Sequence, residues 1–404
     1  MRQFLVVIAP AIAASAVSVP CSHAQWTVTD LAPTGSTSSF VNQTIGTQQG
    51  GKALVSGVFR AVLWSGTAES WVDLHPAGPT SSEVFGMSGA QQVGHAYVAG
   101  RQHASLWNGT AASWIDLHIA GASDSVAFAT SGTEQVGYVI VSGNQRAALW
   151  SGTAGSYVNL NTGATASIAY GIFGGQQVGT AQVAGFSRAC IWSGTAASRV
   201  DIHPTGATSS QARSTSGTHQ VGSATVNIVE RASLWSGTAA SWVDLHPTGA
   251  TQSRALGVSG MYQVGFARFS GINRASLWNG TAGSWEDLSQ ALPGGAVAWN
   301  TSLANSVWSD GSTVQVAGHA IDKATGQYNA FIWSRSISTC PGDLNADTLI
   351  DDADFVIFAT AYNLLDCTDP EMPSGCPADL NNDGFVDDSD FVLFAAAYDA
   401  LLCP

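Results

Sequence analysis

Short runs of alternating apolar and polar residues recur through most of this chain, each bounded by Gly, Asn, Ser or Thr. One unit contains four such runs, at Glu83–Gly89, Gln91–Val98, His103–Trp107 and Trp114–His118. Alternation with a period of two, rich in β-branched and aromatic residues, predicts β-strands. No segment between residues 25 and 339 has a convincing helical period. This part of the chain is therefore predicted to be all-β, with four strands in each unit.

The unit repeats along the chain. A tryptophan recurs at one position of the unit, with spacings of 43, 43, 42, 43 and 43 residues, at Trp64, Trp107, Trp150, Trp192, Trp235 and Trp278. Four short strands in a repeat of this length are typical of β-propeller blades. Six copies run from about Ser39 to Leu292, and a divergent seventh contains Val314–Gly318 and Asn329–Trp333.

The seventh copy lacks its fourth strand, and the missing piece stands at the other end of the chain. Trp26–Leu31 matches Ser241–Leu245, which is a fourth strand in the fifth unit of the pattern. Because a closed ring leaves no strand edge unpaired, the N-terminal strand is predicted to be the outermost strand of the last blade. The predicted fold is a seven-bladed β-propeller, and an open solenoid is the alternative.

The last part of the chain carries one calcium-loop pattern twice, at Asp343–Asp354 and at Asp379–Asp390, with a separation of 36 residues. Oxygens at loop positions 1, 3, 5, 9 and 12, with the backbone carbonyl at position 7, form the ligand set that Ca²⁺ prefers. The pattern predicts two Ca²⁺ sites followed by helices over Asp354–Leu365 and Asp390–Leu402. The predicted ligands are Asp343, Asn345, Asp347, Leu349, Asp351, Asp354, Asp379, Asn381, Asp383, Phe385, Asp387 and Asp390.

Charge separates the two parts of the chain. The net charge is −14, yet all 14 Lys and Arg residues and half of the 28 Asp and Glu residues lie before residue 340. A neutral main domain has no electrostatic footprint for nucleic acid or for an anionic membrane. After the N-terminal segment, no stretch is long and apolar enough to predict a membrane span.

The N-terminus has the pattern of a secretion signal. Arg2 precedes the apolar run Phe4–Val19, and the small residues Ser22 and Ala24 precede a predicted cleavage before Gln25. The protein is predicted to be secreted, either extracellular or associated with the cell surface. The predicted division is a signal peptide over 1–24, the propeller over 25–338 and the calcium module over 339–404.

Four cysteines bracket the calcium loops, which predicts two disulfides in an oxidising compartment. Antiparallel helices would bring the end of the first helix near the start of the second loop. This arrangement favours the pairs Cys367–Cys376 and Cys340–Cys403 over pairing within each repeat. Cys190 lies alone in a strand-like run and is predicted to be a buried small hydrophobe.

The repeat, with its Gln-Val-Gly turn and Ala-x-Leu-Trp strand, resembles the bacterial HAF extracellular repeats, and Ala330–Trp333 is the copy most similar to them. This resemblance implies secretion and a repeated β fold, with no particular activity. The C-terminal segment resembles dockerin type I modules in its tandem loops, its Asp at position 12 and its Phe- and Leu-rich helices. It implies a small EF-hand-like helical module that attaches its host to a cohesin-like partner, commonly in a complex that degrades polysaccharide.

Two features depart from the dockerin pattern. Thr348 stands at loop position 6, where the turn requires glycine, so the first loop is expected to be strained. The partner-reading positions 10 and 11 are Asp352-Ala353 and Asp388-Ser389, and residues 340–404 contain no Lys or Arg. The resemblance therefore does not imply an ordinary cohesin as the partner.

Two repeated features of the propeller invite a functional interpretation. Trp-x-Asp-x-His recurs in the fourth strand, where an Asp-oriented His could act as a base, or several His could surround a metal ion. A feature copied into most blades is more commonly a structural hydrogen-bond set, which is the interpretation we favour. The paired tryptophans that flank each hairpin, such as Trp235 and Trp242, could stack on sugars, but cross-strand packing explains them equally well.

Glu83 and Asp124 are the best unrepeated carboxylate pair for hydrolysis of a glycosidic bond. The chain contains no Gly-x-Ser-x-Gly, His-Glu-x-x-His or phosphate-binding glycine motif.

The leading hypothesis is a secreted, non-enzymatic propeller protein, tethered by its calcium module, with a glycan as a candidate propeller ligand. The alternative is a propeller glycoside hydrolase or polysaccharide lyase delivered by the same tether.

The apolar runs Phe355–Phe358 and Phe391–Phe394 exceed what a two-helix core can bury, so they are expected to meet a partner or the propeller.

Overall fold

The computed structural model describes residues 25–337, 342–345, 350–369, 371–372, 376–381 and 383–400. The chain divides into two compact units. The larger unit spans Trp26–Arg335, and the second contains the described residues from Ser336 onward. The predicted signal peptide over 1–24 lies outside the described residues.

The larger unit consists of seven four-stranded antiparallel sheets, which confirms the predicted seven-bladed β-propeller. The strands of blades one to three are β2 Ser36–Thr44, β3 Gln49–Val55, β4 Val58–Trp64, β5 Val72–Asp73; β6 Ser82–Ser88, β7 Gln91–Val98, β8 Arg101–Trp107, β9 Ile115–Asp116; β10 Ala122–Thr130, β11 Gln135–Val141, β12 Asn144–Trp150 and β13 Val158–Asn159. Those of blades four to six are β14 Ser167–Phe173, β15 Gln176–Val183, β16 Phe186–Trp192, β17 Val200–Asp201; β18 Ser209–Thr215, β19 Gln220–Val226, β20 Val229–Trp235, β21 Val243–Asp244; β22 Gln252–Ser259, β23 Tyr262–Phe269, β24 Ile272–Asn279 and β25 Glu286–Asp287. Blade seven contains β26 Trp299–Ser309, β27 Thr313–Asp322, β28 Tyr328–Ser336 and β1 Thr27–Asp30.

The ring closes as predicted, because β1 pairs antiparallel with β28 as the outermost strand of blade seven. Val28 lies opposite Trp333, and the Leu31 N–H donates to the Ala330 carbonyl at 2.9 Å. Leu31 is completely buried. The open solenoid is therefore excluded.

The only helical segments of the propeller are single turns of 3-10 helix, which the alternation pattern did not predict. Six of them follow the third strand of a blade, at Ala68–Ser70, Ala111–Ser113, Ala154–Ser156, Ala196–Ser198, Ala239–Ser241 and Ala282–Ser284. Two more, Leu288–Ala291 and Ala296–Ala298, connect blades six and seven. In six blades a glutamine accepts the glycine N–H of the Ser/Asn-Gly-Thr-Ala hairpin at 2.7 to 2.9 Å. This glutamine begins the Gln-Val-Gly turn in five blades and the sequence Gln49-Gly-Gly in blade one, and it holds the hairpin against the second strand.

The glycine of the Gln-Val-Gly turn has a steric cause. A Cβ on Gly94 would lie 1.8 Å from the Glu83 carbonyl oxygen of the neighbouring strand. The tryptophan of each third strand is completely buried, as illustrated by Trp107 and Trp235. The glycine of the repeat is therefore required by close contact between strands, and the tryptophan by burial in the core.

A serine in each inner strand joins neighbouring blades. Its Oγ accepts the alanine N–H from the third strand of the preceding blade at 2.8 to 2.9 Å, at all seven junctions. The junction between the first and last blades uses Ser39 and Ala330. Because both groups are buried, loss of the hydroxyl would leave an N–H without a partner.

Each inner strand also contains a β-bulge, at the same place in all seven blades. A bulge leaves one residue out of the pairing and redirects its side chain. The bulge residues are Asn42, Phe85, Phe128, Tyr170, Arg213, Leu256 and Asn305. All seven line one cavity of about 550 Å³ at the inner edge of the blades, which we call the axial cavity.

The second unit contains α1, Asp352–Tyr362, and α2, Asp388–Ala400. Both helices begin two residues earlier than predicted, because the carboxylate of Asp351 caps α1 and Asp387 occupies the same position before α2. Their core contains Phe358 and Phe394, which stack with ring centroids 4.7 Å apart. Neither helix has the length and apolar character that crossing a membrane requires, among the residues described.

We expect removal of β1 to destabilise the propeller. A chain that begins at Thr34 would expose the edge of β28 and the apolar surface that Val28 and Leu31 cover. The loss should be several kcal/mol at roughly 25 cal/mol per Å² of buried apolar area, and the free edge should promote association. Thermal melting and size-exclusion chromatography measure both effects, with a chain that begins at Gln25 as the control. Equal stability and a monomeric state for both chains would contradict the role of β1.

Candidate calcium loops and the other predicted sites

The second calcium loop brings three predicted ligands together. Carboxylate oxygens of Asp379, Asp383 and Asp390 all lie within 4.8 Å of one another. The N–H groups of Asp383 and Gly384 donate to Asp379 at 3.1 and 2.9 Å, which wraps the loop around this carboxylate. Gly384 has φ +92°, a left-handed conformation that favours glycine. Three converging carboxylates provide an oxygen-rich site suited to a hard cation such as Ca²⁺.

The carboxylate at loop position 12 is completely buried in both copies. Asp390 accepts from the N–H groups of Leu380 and Asn381 at 2.7 and 3.0 Å, and from that of Asp387 at 3.0 Å. The first loop has the same three bonds to Asp354, from Leu344 at 2.6 Å and from Asn345 and Asp351 at 3.0 Å. The two copies therefore share one local fold at the start of the loop and at its exit into the helix.

The remaining predicted ligands divide between described and undescribed residues. Asp343, Asn345 and Asp351 belong to the described part of the first loop, whereas Asp347 and Leu349 lie outside it, as does Thr348. In the second loop, Asn381 and Asp387 are described, and Phe385 forms a β-bridge with Asp366. Both Ca²⁺ sites stay predictions.

A disulfide joins Cys367 and Cys376 beside the second loop, with Cα atoms 5.5 Å apart, as the antiparallel arrangement predicted. The second predicted pair, Cys340–Cys403, lies outside the described residues. Cys190 is buried in the propeller as a free thiol, and burial raises its pKa above the ordinary range, so it has the predicted role of a small hydrophobe.

Each helix of the second unit contacts the first residue of the other helix. The Tyr398 hydroxyl donates to Asp352 at 2.5 Å, and the Tyr362 hydroxyl donates to Asp388. These hydrogen bonds raise the pKa of both tyrosines. Asp352 and Asp388 are the two residues at loop position 10. The reciprocal pairing was not predicted, although each tyrosine stands eight residues after the buried aspartate of its own repeat.

Part of the apolar surface of the two helices stays exposed, as predicted. We define the helix patch as Phe355, Val356, Phe391, Val392 and Leu393, whose exposed fractions run from 43% to 65%. Phe358 and Phe394, from the same apolar runs, are buried. The helix patch is thus the surface left over after the two-helix core is formed.

The predicted fourth strand Trp114–His118 is shorter in the structure, where β9 ends at Asp116, and the histidines that follow the fourth strands are structural. Nδ1 of His75 lies 2.7 Å from Ser82 Oγ, the serine that joins blades one and two. His118, His203 and His246 make the same contact at 2.7 to 2.8 Å with Ser125, Ser210 and Ser253. Burial lowers the pKa of His75, His118 and His246. Because each histidine contacts a serine of a different blade, the four do not converge on a metal ion.

The aspartates of the same motif are also engaged in hydrogen bonds and ion pairs within the blade. Asp73 accepts the His75 N–H at 2.8 Å through one oxygen and pairs with Arg60 at 2.6 Å through the other. Asp116 likewise accepts the His118 N–H and contacts His103 at 2.8 Å. These contacts support the structural interpretation of Trp-x-Asp-x-His.

The two other sugar-related hypotheses lose support from the geometry. Trp235 is completely buried, so its face is not available to a sugar, and Trp242 donates to Ser233 Oγ at 2.9 Å within the blade. Glu83 is buried and ion-paired with Lys52 at 2.9 Å. Asp124 accepts the Gln102 N–H at 3.1 Å. Each carboxylate has its own structural partner, and no described contact joins the two.

The residues that line the axial cavity were missed by sequence analysis. In six blades the bulge residue lies between small or apolar residues, as in Val84-Phe85-Gly86 and Ala212-Arg213-Ser214, whereas Asn42 lies between Val41 and Gln43. A comparison of the seven repeats at this single position would have revealed that its residue type changes from blade to blade.

The fold places the chain among the seven-bladed β-propellers, with an additional two-helix unit. No family model and no curated protein sequence matches the chain. Solved structures do match. The β-propeller domain of the Trilobed protease from Pyrococcus furiosus aligns with TM-score 0.50 and 9% identity, covering 74% of this chain and 94% of that one. That domain has an open velcro topology, whereas β1 closes the ring here.

A puromycin hydrolase mutant in complex with PGG aligns with TM-score 0.51 and 10% identity, covering 74% of this chain and 54% of that one. A second puromycin hydrolase structure aligns with TM-score 0.50 and 10% identity, covering 77% of this chain and 56% of that one. The chain therefore spans little more than half the length of these hydrolases. At such identities the likeness shows the fold alone.

We expect loop two to bind Ca²⁺ more tightly than loop one, because Gly384 adopts its left-handed conformation without strain and Thr348 stands at the matching position. Isothermal titration of the full chain should lose the tighter site in Asp379→Ala and the weaker site in Asp343→Ala. Thr348→Gly should strengthen loop one by about five- to thirtyfold, since a left-handed non-glycine residue costs roughly 1–2 kcal/mol. Gly384→Thr is the matched control and should weaken loop two. The reverse order of affinities would disprove the assignment.

Proposed function

We propose that this chain is a secreted, non-enzymatic propeller binding protein that a calcium-dependent, dockerin-like module attaches to a partner in an extracellular or cell-surface complex. The observation that carries the proposal is the pair of matching loop–helix copies around Asp354 and Asp390. These copies combine an oxygen-rich loop with an exposed apolar surface on the helix that follows.

Charge supports the calcium dependence. Residues 340–404 contain half of the 28 acidic residues and no Lys or Arg, so no basic side chain of this segment neutralises the loops. Asp379, Asp383 and Asp390 lie close enough for strong mutual repulsion. A bound divalent cation would convert that repulsion into attraction, and metal binding would then stabilise the folded module.

The helix patch supports a protein partner. Contiguous exposed apolar residues are typical of recognition surfaces, and a helix pair commonly binds through such a face. Asp352 and Asp388 contribute negative charge from loop position 10, and each accepts a tyrosine hydroxyl. A cohesin-like partner that fits this surface would offer an apolar groove with basic groups at its rim.

The proposal assigns no enzymatic role to the propeller, because the candidate catalytic acids Glu83 and Asp124 are engaged in structural contacts. Glu83 is held by Lys52, and Asn42 donates to it at 3.0 Å. A general acid or nucleophile needs a carboxyl group that faces the substrate. The candidate carboxylates of the propeller serve as structural partners instead, which favours binding over hydrolysis.

We expect calcium removal to unfold the helical module without unfolding the propeller. All 14 tryptophans lie between residues 26 and 333, so the near-ultraviolet circular dichroism of tryptophan reports on the propeller. Adding EGTA to the full chain should reduce the helical far-ultraviolet signal and leave the tryptophan signal unchanged. Asp379→Ala combined with Asp343→Ala should give the same spectrum without EGTA. Helicity that is insensitive to EGTA would contradict the coupling of calcium binding to folding.

Attachment itself can be tested with the surface fraction of the producing cells. Binding of the full chain should require Ca²⁺ and should reverse on chelation. The double change Val356→Asp and Val392→Asp should abolish attachment while Ca²⁺ titration stays normal. Ile228→Asp is the matched control, because Ile228 is an apolar propeller residue with 96% exposure. Attachment that survives both chelation and the double change would refute the proposed tether.

A further inference from the structure

The axial cavity is the place where the propeller departs from its own repeat. The neighbours of each bulge residue are small or apolar in nearly every blade, whereas the bulge residues include amides, aromatic rings, an aliphatic residue and an arginine. A binding site is built once, so it requires differences between repeats. The volume of about 550 Å³ is within the range of small-molecule sites.

Three consecutive blades contribute an aromatic arc, which consists of Phe85, Phe128 and Tyr170. The Phe85 and Phe128 ring centroids are 5.4 Å apart, and Phe128 and Tyr170 are also 5.4 Å apart. The Arg213 guanidinium carbon lies 4.0 Å from the centroid of Tyr170. Blades two to five thus form a continuous arc that ends in a cation.

Arg213 is the one charged side chain among the described residues that line the cavity. Its Nε is buried and has no hydrogen-bond partner. Within residues 25–337, each of the other arginines donates at least one hydrogen bond. Desolvation lowers the pKa of Arg213, yet a guanidinium stays protonated at neutral pH.

The nearby carboxylate of Glu230 forms no ion pair with Arg213. Glu230 pairs with Arg254 at 2.7 Å and also accepts from Ser223 and Gln252, both at 2.7 Å. Arg213 therefore remains a partly buried cation without an ion-pair partner, a position that an anionic ligand would stabilise.

We infer that the axial cavity binds a small ring-shaped carboxylate, with its carboxylate on Arg213 and its flat face on the arc of Phe85, Phe128 and Tyr170. Guanidinium pairs with carboxylate in a planar, two-bond geometry. One arginine balances one negative charge, so a monoanion fits better than a dianionic phosphate. Aromatic faces contact the apolar face of either a sugar ring or an aromatic ring. This inference rests on the proposed binding role of the propeller and is independent of the calcium module.

The test uses the full chain and two pairs of probes, D-glucuronate with D-glucose and benzoate with benzamide. Isothermal titration should show at least tenfold tighter binding of one acid than of its neutral counterpart. Binding of glucuronate identifies a sugar acid as the ligand type, and binding of benzoate identifies an aromatic acid. Arg213→Gln should weaken the acid at least tenfold, and Phe128→Leu should weaken it with the charge intact.

Arg101→Gln is the matched control, because Arg101 is an exposed propeller arginine bonded to the Ser123 carbonyl at 3.3 Å, and it should bind as the unaltered chain does. Tryptophan circular dichroism confirms that each variant is folded. Binding should persist in EGTA, so failure of the calcium tether and failure of the cavity site give different results. Equal affinity for each acid and its neutral counterpart, or unchanged acid binding in folded Arg213→Gln or Phe128→Leu, would overturn the inference.

Discussion

The hydrogen bond from an alanine N–H to a serine hydroxyl in the next blade is the contact on which the ring depends. It occurs at every junction between blades, and Ser39 and Ala330 make it where the first blade meets the last. In four blades, a histidine that follows the fourth strand also contacts this serine. Because the serine hydroxyl and the alanine N–H are buried and paired with each other at every junction, neighbouring blades hold one fixed spacing around the axis.

This fixed spacing separates structural residues from those free to vary. Glycines, tryptophans, serines and glutamines of the repeat are constrained by strand contact, burial and inter-blade bonds. The bulge position is free of these constraints, because its residue leaves the strand pairing and faces the cavity. Arg213 and the aromatic arc therefore interrupt the repeat without disturbing the blades that carry them.

The second unit follows the same principle on a smaller scale. Two copies of one loop–helix segment meet through Phe358 and Phe394, and each tyrosine bonds to the loop of the other copy. A core of this size covers only one side of each helix. The helix patch is the consequence, and the proposed attachment uses the surface that the module cannot bury by itself.

Repeat length, strand alternation and the displaced fourth strand determined the blade number and the ring closure, because these features are local patterns or simple matches between segments. The spacing of the acidic residues predicted the convergence of Asp379, Asp383 and Asp390, and the antiparallel order of the two helices predicted the pairing of Cys367 with Cys376. Only the tertiary structure decided that the histidines serve the blade junctions, that Glu83 pairs with Lys52, and that Arg213 Nε is buried without a hydrogen-bond partner. These properties depend on which side chains meet across blades, and residues far apart in the chain meet there for reasons of packing that no single segment contains.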